Sequence, residues 1–192
     1  MSDLTVKVAA PQQHPLTDLT ELDKFKTGGF AVGYPADCRT FYSPVDDLHG
    51  ALLYVMKSAR KELIVAMFGF DDEELASAIS EKLSEPACFV QLTLDKSQAG
   101  GIHEKELLRQ SGYPSSSVAV GSSEHGRIMH MKLMVVDGVW LVTGSTNWSD
   151  AAEHLQDNEL TVRYSPIEAN EARIRTAHIH QHMLTGRVGF TP

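Results

Sequence analysis

Five polar residues at fixed spacing carry most of the chemistry that this sequence offers. His130, Lys132 and Asp137 follow the pattern H-x-K-x-x-x-x-D, and Ser145 and Asn147 follow within G-S-x-N. An imidazole can attack an electrophile or transfer a proton, and an ammonium, a hydroxyl and an amide can hold anionic oxygens. This combination indicates a site for a phosphate group.

The motif lies in apolar, β-branched sequence that is typical of a β-hairpin. Asp137-Gly138 separates two such runs and is a common two-residue hairpin turn. We therefore expect antiparallel strands at about 128–136 and 139–143, followed by a helix that starts near Ser149. The first-turn N–H groups and the dipole of that helix would favour an anion nearby.

Strand geometry predicts which polar side chains meet. Alternate residues of a strand share a face, so His130 and Lys132 point to the same side. A two-residue turn would set Lys132 opposite Thr143 and His130 opposite Ser145, and cross-strand neighbours lie about 5 Å apart. With Asn147 just beyond, the hairpin is predicted to gather an imidazole, an ammonium and a hydroxyl in one small patch.

A structural explanation competes with this catalytic one. A lone histidine in a strand is more often a hydrogen-bonded structural residue than a catalyst. Lys132 is harder to explain in that way, because burying an ammonium without a partner is costly. The joint occurrence of these residues at this spacing favours the functional interpretation.

With these motifs the chain closely resembles the phospholipase D superfamily, whose members cleave or exchange phosphodiester bonds. The likeness spans roughly 39–184, including the segments 41–44 and 90–95. It is strongest to the compact branch with a single motif copy, which includes a bacterial endonuclease and a mitochondrial phosphodiesterase of the cardiolipin-hydrolase and small-RNA type. The resemblance implies an α/β phospholipase D-like fold, a mixed β-sheet flanked by helices, as a single domain at 39–192. Residues 1–38 would form an N-terminal arm of unknown role.

The resemblance also implies roles for individual residues. In the family one histidine attacks phosphorus and forms a phosphohistidine, while a second histidine protonates the leaving oxygen. His130 is implied as the catalytic histidine, and Lys132, Ser145 and Asn147 as ligands of the phosphate oxygens. Neither a metal nor a cofactor is expected in this reaction.

Two carboxylates complete the implied catalytic set. In this branch a glutamate after the G-S-x-N motif helps to orient the histidine, and Glu159 stands at the matching place with one residue inserted. Asp137 lies at the end of the first motif strand, where a supporting hydrogen-bonding role is expected rather than direct chemistry.

The motif occurs once, whereas the family's mechanism uses two histidines. A two-fold axis near His130 would supply an identical second histidine and would make the interface the same on both subunits. We therefore expect a homodimer with one composite active site.

Length and composition are those of one folded domain without membrane spans. The chain has 192 residues, 42% of them hydrophobic, and no apolar run of about 18 residues. No secretory signal is evident and the only cysteines are Cys38 and Cys88, so a reduced, cytoplasmic setting is expected. The net charge of −8 argues against a protein that coats duplex DNA by electrostatics alone, although a local basic groove remains compatible with it.

Strand-like and helical patterns alternate along the chain. A helix opened by Pro44 is expected to run to about Lys61, and buried strands are expected at 63–70 and 88–94, with a closing helix at 166–184. Strands separated by helices indicate a sheet covered by helices.

Histidines outside the motif offer other sites. His178 and His182 share a helix face at i, i+4, with His180 between them, and such a pair can ligate a metal. A solvated or dimer-facing helix is the simpler explanation, because no third ligand is indicated. His125 precedes His130 in a loop and is more simply a loop residue.

Three classes of function remain open at this point. The first is a metal-independent nuclease acting on DNA or RNA, favoured by the compact single-motif form. The second is a phospholipase D or phosphatidyl-transfer enzyme, for which phospholipid would be the substrate. The third is a catalytically silent nucleic-acid-binding or assembly module with the same fold.

Overall fold

Strands and helices alternate along the chain in the computed structural model, which describes residues 14–98, 102–109 and 114–186. A 3₁₀ helix at Leu19–Phe25 comes first. The strands are β1 (Cys38–Ser43), β2 (Glu62–Met67), β3 (Phe70–Asp71), β4 (Phe89–Asp95), β5 (Val118–Gly121), β6 (Lys132–Val136), β7 (Trp140–Gly144), β8 (Trp148–Ser149) and β9 (Asn158–Tyr164). The helices are α1 (Leu48–Ser58), α2 (Glu73–Leu83), α3 (Ile102–Arg109), α4 (Asp150–His154) and α5 (Pro166–Gly186).

Seven of these strands form one mixed sheet in the order β1-β9-β7-β6-β2-β4-β5. The pairs β2–β4 and β4–β5 are parallel, and the other pairs are antiparallel. Parallel neighbours need a long crossover, which α2 and α3 provide. β3 and β8 form a small parallel sheet of their own. The predicted mixed α/β sheet flanked by helices is confirmed.

Both faces of the sheet are covered, because the side chains of β2 alternate between two buried layers. Leu63, Val65 and Met67 join the large core that includes α1 and α2. Ile64 and Ala66 face the other way and pack in clusters that include residues of α5. Although α5 has 21 residues, neither it nor any other helix in the described part of the chain is long and apolar enough to cross a membrane.

One edge of the sheet collects the strand ends that carry the motif. The register pairs Met67, at the end of β2, with Lys132, at the start of β6. It also pairs Gly144, at the end of β7, with Leu160 near the start of β9. The chain direction therefore brings both halves of the motif to the same edge, which we call the motif edge.

The motif hairpin has a longer turn than the sequence predicts. Val136 pairs with Trp140 and Leu133 with Thr143, so the expected pairing of Lys132 with Thr143 is wrong, and with it that of His130 with Ser145. Asp137 and Gly138 both have positive φ, 51° and 71°. Glycine adopts such values without steric cost, which explains Gly138 in this turn.

Because the turn contains one more residue than expected, the register of β7 against β6 shifts by one. Each side chain of β7 therefore points to the opposite face of the sheet from the one expected. His130 lies just before β6, whose first residue is Lys132, and not inside the strand.

Helix α1 also begins later than expected. Pro44 was predicted to open it, but the first helical residue is Leu48. Asp47 caps the helix by accepting a hydrogen bond from Gly50 N at 2.8 Å. The intervening residues form a turn, in which Asp46 N donates to the carbonyl oxygen of Tyr42 at 2.8 Å.

The segment before β1 packs on the same core as the sheet. Asp18 and Glu21 form a capping box at the start of the 3₁₀ helix. Leu19 and Leu22 are buried in the core that contains α1. An ion pair of 2.7 Å between Lys26 and Asp46 fastens this segment to the turn before α1. The described part of the predicted arm is therefore in contact with the domain.

Candidate functional site

His130 and Lys132 form a close pair at the motif edge. Lys132 Nζ lies 2.9 Å from His130 Nε2, and the imidazole is exposed to solvent. Phe68, which follows β2, lies against both residues: its ring centroid is 4.6 Å from that of His130 and 4.8 Å from Lys132 Nζ. The predicted juxtaposition of imidazole and ammonium is thus present, supported by an aromatic ring.

Lys132 is positioned to donate a hydrogen bond to His130 Nε2, because an ammonium can only donate. Burial of the ammonium lowers the pKa of Lys132 below the ordinary value of 10.5. The geometry therefore places an ammonium beside a nitrogen of an exposed imidazole.

The backbone on both sides of His130 is fixed by two contacts. Asp95, at the end of β4, is buried and its Oδ2 accepts a hydrogen bond from Met129 N at 2.5 Å. Phe68 N donates to the carbonyl oxygen of Met131 at 2.9 Å. Sequence patterns gave no sign of these roles, because Asp95 and Phe68 look like ordinary strand-end residues.

Ser145 is held by the start of β9. Its Oγ donates to Asn158 Oδ1 at 2.9 Å and accepts a hydrogen bond from Glu159 N at 3.1 Å. Asn158 Nδ2 donates in turn to the carbonyl oxygen of Ala152 in α4 at 3.0 Å. The hydroxyl of Ser145 is exposed and has a defined position. Asn158, which the sequence did not single out, connects it to α4.

Glu159 lies at the motif edge, although its carboxylate does not contact the histidine. Its Oε1 accepts a hydrogen bond from Thr161 Oγ1 at 3.1 Å. The side chain is exposed. Its predicted orienting role therefore stays a prediction.

Asn147 packs tightly against the loop after β2. A Cβ added at Gly69 would lie 3.0 Å from Asn147 Cγ, so this close approach depends on the glycine. Trp148 N donates to the carbonyl oxygen of Gly69 at 2.9 Å and fixes the spacing of the two loops. Asn147 Oδ1 is buried and has no hydrogen-bond partner within the described residues. Substrate or water can supply the missing donor.

Asp137 follows the end of β6, so it lies at the end of the strands opposite to the motif edge and His130. It follows Lys132 by five positions, which is roughly 17 Å along the strand at the usual rise. Its carboxylate accepts hydrogen bonds from the backbone N–H groups of Arg60, Lys61 and Glu62, at 3.0, 2.7 and 3.0 Å. Asp137 thus joins the hairpin turn to the start of β2.

The other histidines lie apart from this pair. His180 is buried, with Nδ1 2.8 Å from Thr93 Oγ1 and Nε2 2.7 Å from the carbonyl oxygen of Ser116. His178 and His182 are exposed on α5, and His125 is exposed in the loop before β6. Within the part of the chain that the structure describes, these residues form no metal-ligand cluster.

Comparisons of sequence agree with the motif. A family model described as "Cardiolipin synthase, PLD-like domain" matches residues 52–178, which is more than half of the chain. The match includes the whole motif hairpin and the strands beside it. A search of curated protein sequences gives no match.

Comparisons of structure agree with the fold. Nuc from Salmonella typhimurium, a phospholipase D family member, superposes with a TM-score of 0.64 at 20% identity, over 76% of this chain and 94% of that one. NucT from Helicobacter pylori gives 0.63 at 19% identity, over 76% and 96%. Phosphatidylserine synthase from Haemophilus influenzae gives 0.54 at 14% identity, over 74% and 38%. With the sequence match, the fold and the motif in agreement, the chain belongs to the phospholipase D superfamily.

Proposed function

We propose that this protein is a metal-independent phosphodiesterase that acts as a nuclease on DNA or RNA. The observation that carries the proposal is the exposed His130 imidazole, with Lys132 Nζ 2.9 Å from its Nε2. A neutral nucleophile avoids the repulsion that an anion would meet at a phosphodiester, and a neighbouring cation can hold the charge that develops on oxygen. Membership of the phospholipase D superfamily supports the phosphodiesterase class.

The proposed reaction has two steps. His130 Nε2 attacks phosphorus, the bond from phosphorus to the leaving oxygen breaks, and an imidazolium protonates that oxygen. Water then attacks the phosphohistidine. It gives its proton to the imidazole that protonated the leaving oxygen, which is neutral after that step. The bond between phosphorus and nitrogen breaks, and both histidines return to their starting states.

The neighbouring polar groups are proposed to hold the phosphate. Lys132 exchanges its contact with His130 for one with a non-bridging oxygen, which frees Nε2 for attack. Ser145 and Asn147 are the further oxygen ligands, and Glu159 is the proposed orienting group. Asp137 contributes indirectly, because its carboxylate fixes the hairpin that carries His130.

The second imidazole is proposed to come from a second copy of the chain. The sequence contains the H-x-K-x-x-x-x-D motif once, and its histidine, His130, lies exposed at the motif edge. An isologous dimer that buries this edge would place His130 of the partner subunit across one phosphate pocket. The assembly would then have one composite active site for two chains.

Nucleic acid is the preferred substrate, and phospholipid is the main competitor. The chain matches nearly the full length of Nuc and NucT but only 38% of phosphatidylserine synthase. The compact single-motif form therefore favours a nuclease over a phosphatidyl-transfer enzyme.

The deciding experiment incubates the purified protein, in EDTA, with single- and double-stranded DNA and RNA and with labelled phospholipids. We expect cleavage of nucleic acid, its loss in His130→Ala, and unchanged rates in His178→Ala, which removes an exposed histidine outside the site. An acid-labile labelled phosphoenzyme should form in the wild type and not in His130→Ala.

Three results would contradict the proposal. Cleavage of lipid alone would favour the phosphatidyl-transfer class. Binding of nucleic acid without cleavage of any substrate would favour the silent module. A strict metal requirement would remove the proposed mechanism.

A further inference from the structure

A second cluster of functional side chains lies away from His130, where three helices meet. It consists of His49 in the first turn of α1, Asp72 at the N-cap of α2, and Glu153 in α4. The three residues are far apart in sequence, and no motif connects them. Their meeting is a product of the fold.

The three side chains are close enough to bind one metal ion. One possible ligand atom from each residue lies within 4.8 Å of the others, and no other such trio occurs among the residues that the structure describes. His49 Nδ1 contacts Glu153 Oε2 directly and lies 3.6 Å from Asp72 Oδ2. A separation near 3.5 Å is what two ligands of one small ion show, given ligand bonds of about 2.0–2.2 Å.

Burial makes this cluster different from a group of acidic residues at the surface. The Glu153 side chain is fully shielded from solvent. Its second oxygen, Oε1, is buried and has no hydrogen-bond partner in the described parts of the chain. A buried carboxylate oxygen without a donor is costly, so the protein groups alone leave the site incomplete.

The charges of the cluster also call for a cation. With His49 protonated, Asp72 and Glu153 still leave one negative charge. Glu74 adds a second negative charge, because its Oε2 lies 3.5 Å from His49 Nε2. A divalent ion bound to a neutral His49 would balance Asp72 and Glu153. The His154 ring lies beside the cluster, with its centroid 5.4 Å from that of His49.

We propose that His49, Asp72 and Glu153 form a binding site for one divalent transition-metal ion, with zinc the best match to one imidazole and two carboxylates. The site would be structural, since it lies among α1, α2 and α4 and does not include the His130 pair. It goes beyond the proposed function and does not depend on it. Without metal, the contact between His49 and Glu153 holds the same helices together, so the site is compatible with activity in EDTA.

The connection to the motif edge gives the metal a consequence. Ala152, next to Glu153, has a carbonyl oxygen that accepts hydrogen bonds from Ser43 Oγ at 3.1 Å and Asn158 Nδ2 at 3.0 Å. Asn158 in turn accepts the hydrogen bond of Ser145. An ion that fixes α4 would therefore also stabilise the support of Ser145.

The test is direct binding of Zn²⁺ to the full chain after removal of metal by a chelator. Equilibrium dialysis should give about one tightly bound Zn²⁺ per chain, and Co²⁺ should give the visible ligand-field absorption of a site with few ligands. Asp72→Asn keeps a good N-cap for α2 and should weaken Zn²⁺ binding at least tenfold. Glu153→Gln should do the same.

The matched control is the double substitution of His178 and His182 by alanine, which removes the other pair of histidines at ligand spacing. It should leave Zn²⁺ binding unchanged. In thermal unfolding, Zn²⁺ should raise the Tm of the wild type and of this control, but not that of Asp72→Asn. Circular dichroism of each variant verifies that it is folded.

Two outcomes would overturn the proposal. One is a wild-type chain that binds no Zn²⁺ more tightly than folded Asp72→Asn does. The other is binding that disappears in the His178 and His182 double variant and persists in Asp72→Asn.

Discussion

At the scale of single residues, Lys132 has two tasks at the motif edge, and both require its positive charge. It donates to His130 Nε2 in the free protein, and in the proposed reaction it holds a phosphate oxygen. Burial lowers its pKa. Lys132 therefore loses its proton, and with it both functions, at a lower pH than an ordinary lysine would.

We expect activity to fall on the alkaline side as the pH rises through the pKa of Lys132. Lysine is charged below its pKa, so a lowered pKa moves this limb to a pH below the ordinary value of 10.5. The measurement is kcat/KM against pH for the wild type and Lys132→Arg. Arginine stays charged, so its alkaline limb should shift upward or disappear, although its absolute rate will be lower because its geometry differs.

Circular dichroism at each pH is the control for this profile, since unfolding also abolishes activity. Identical alkaline limbs in the two folded proteins would assign the titration to a different group.

At the scale of secondary-structure elements, Gly144 determines how closely β7 can approach β9. A Cβ at this position would overlap the carbonyl oxygen of Glu159, which accepts a hydrogen bond from Ser145 N at 3.1 Å. The glycine of the G-S-x-N motif is thus explained by strand packing, and Ser145 takes its position from that packing.

Gly144→Ala should destabilise the protein by roughly 1–3 kcal/mol, the usual cost of forcing extra atoms into a packed site. It should also lower activity further than the loss of folded protein explains, because Ser145 moves with the strand. Urea unfolding and kcat under stable conditions measure the two effects.

Gly121→Ala is the matched control, since it also lies at a strand end of the motif edge. There the added methyl would meet Met183 Cγ at 2.7 Å, and a flexible side chain can yield where backbone cannot. Equal costs for the two substitutions would refute the explanation by backbone contact.

The sequence predicts elements better than it predicts their register. Apolar periodicity located the strands and helices, since burial of alternate residues is a local property. The hairpin turn was predicted one residue short, because its shape depends on hydrogen bonds that Asp137 accepts from residues 60–62, more than 70 positions earlier. Local turn preferences contain no information about such a partner.

The same distinction applies to the candidate site. His130, Lys132, Ser145 and Asn147 are identifiable because they are close in sequence and match a known motif. Phe68 and Asp95 support His130 from strands that are distant along the chain. Only the sheet order brings them together, so no local pattern could have indicated them.

At the scale of the whole molecule, the position of His130 determines which surface the proposed dimer must bury. The imidazole is exposed, at an edge of the sheet where strand ends and loops meet. A second chain can therefore approach it without rearrangement of the core. The proposed mechanism requires two imidazoles, so we expect the dimer to be the active unit and the single chain to be inactive.

Mixing experiments test this unit. When His130→Ala chains are co-refolded with wild type, a mixed dimer keeps one imidazole and should be inactive. Activity should then fall with the square of the wild-type fraction. Mixtures with His178→Ala should keep full activity. A linear fall with the wild-type fraction, or a fully active monomer in sedimentation, would contradict the composite site.

The structural role of Asp137 affects how related sequences are interpreted. Its carboxylate fastens the hairpin to β2 at the end of the strands remote from His130. A paralogue that had abandoned catalysis could discard His130 and Lys132 and keep its shape, whereas loss of Asp137 would loosen the shape itself. In surveys of such sequences, we expect the aspartate to be retained with the fold, and the histidine and lysine to be retained only where the proposed activity is retained.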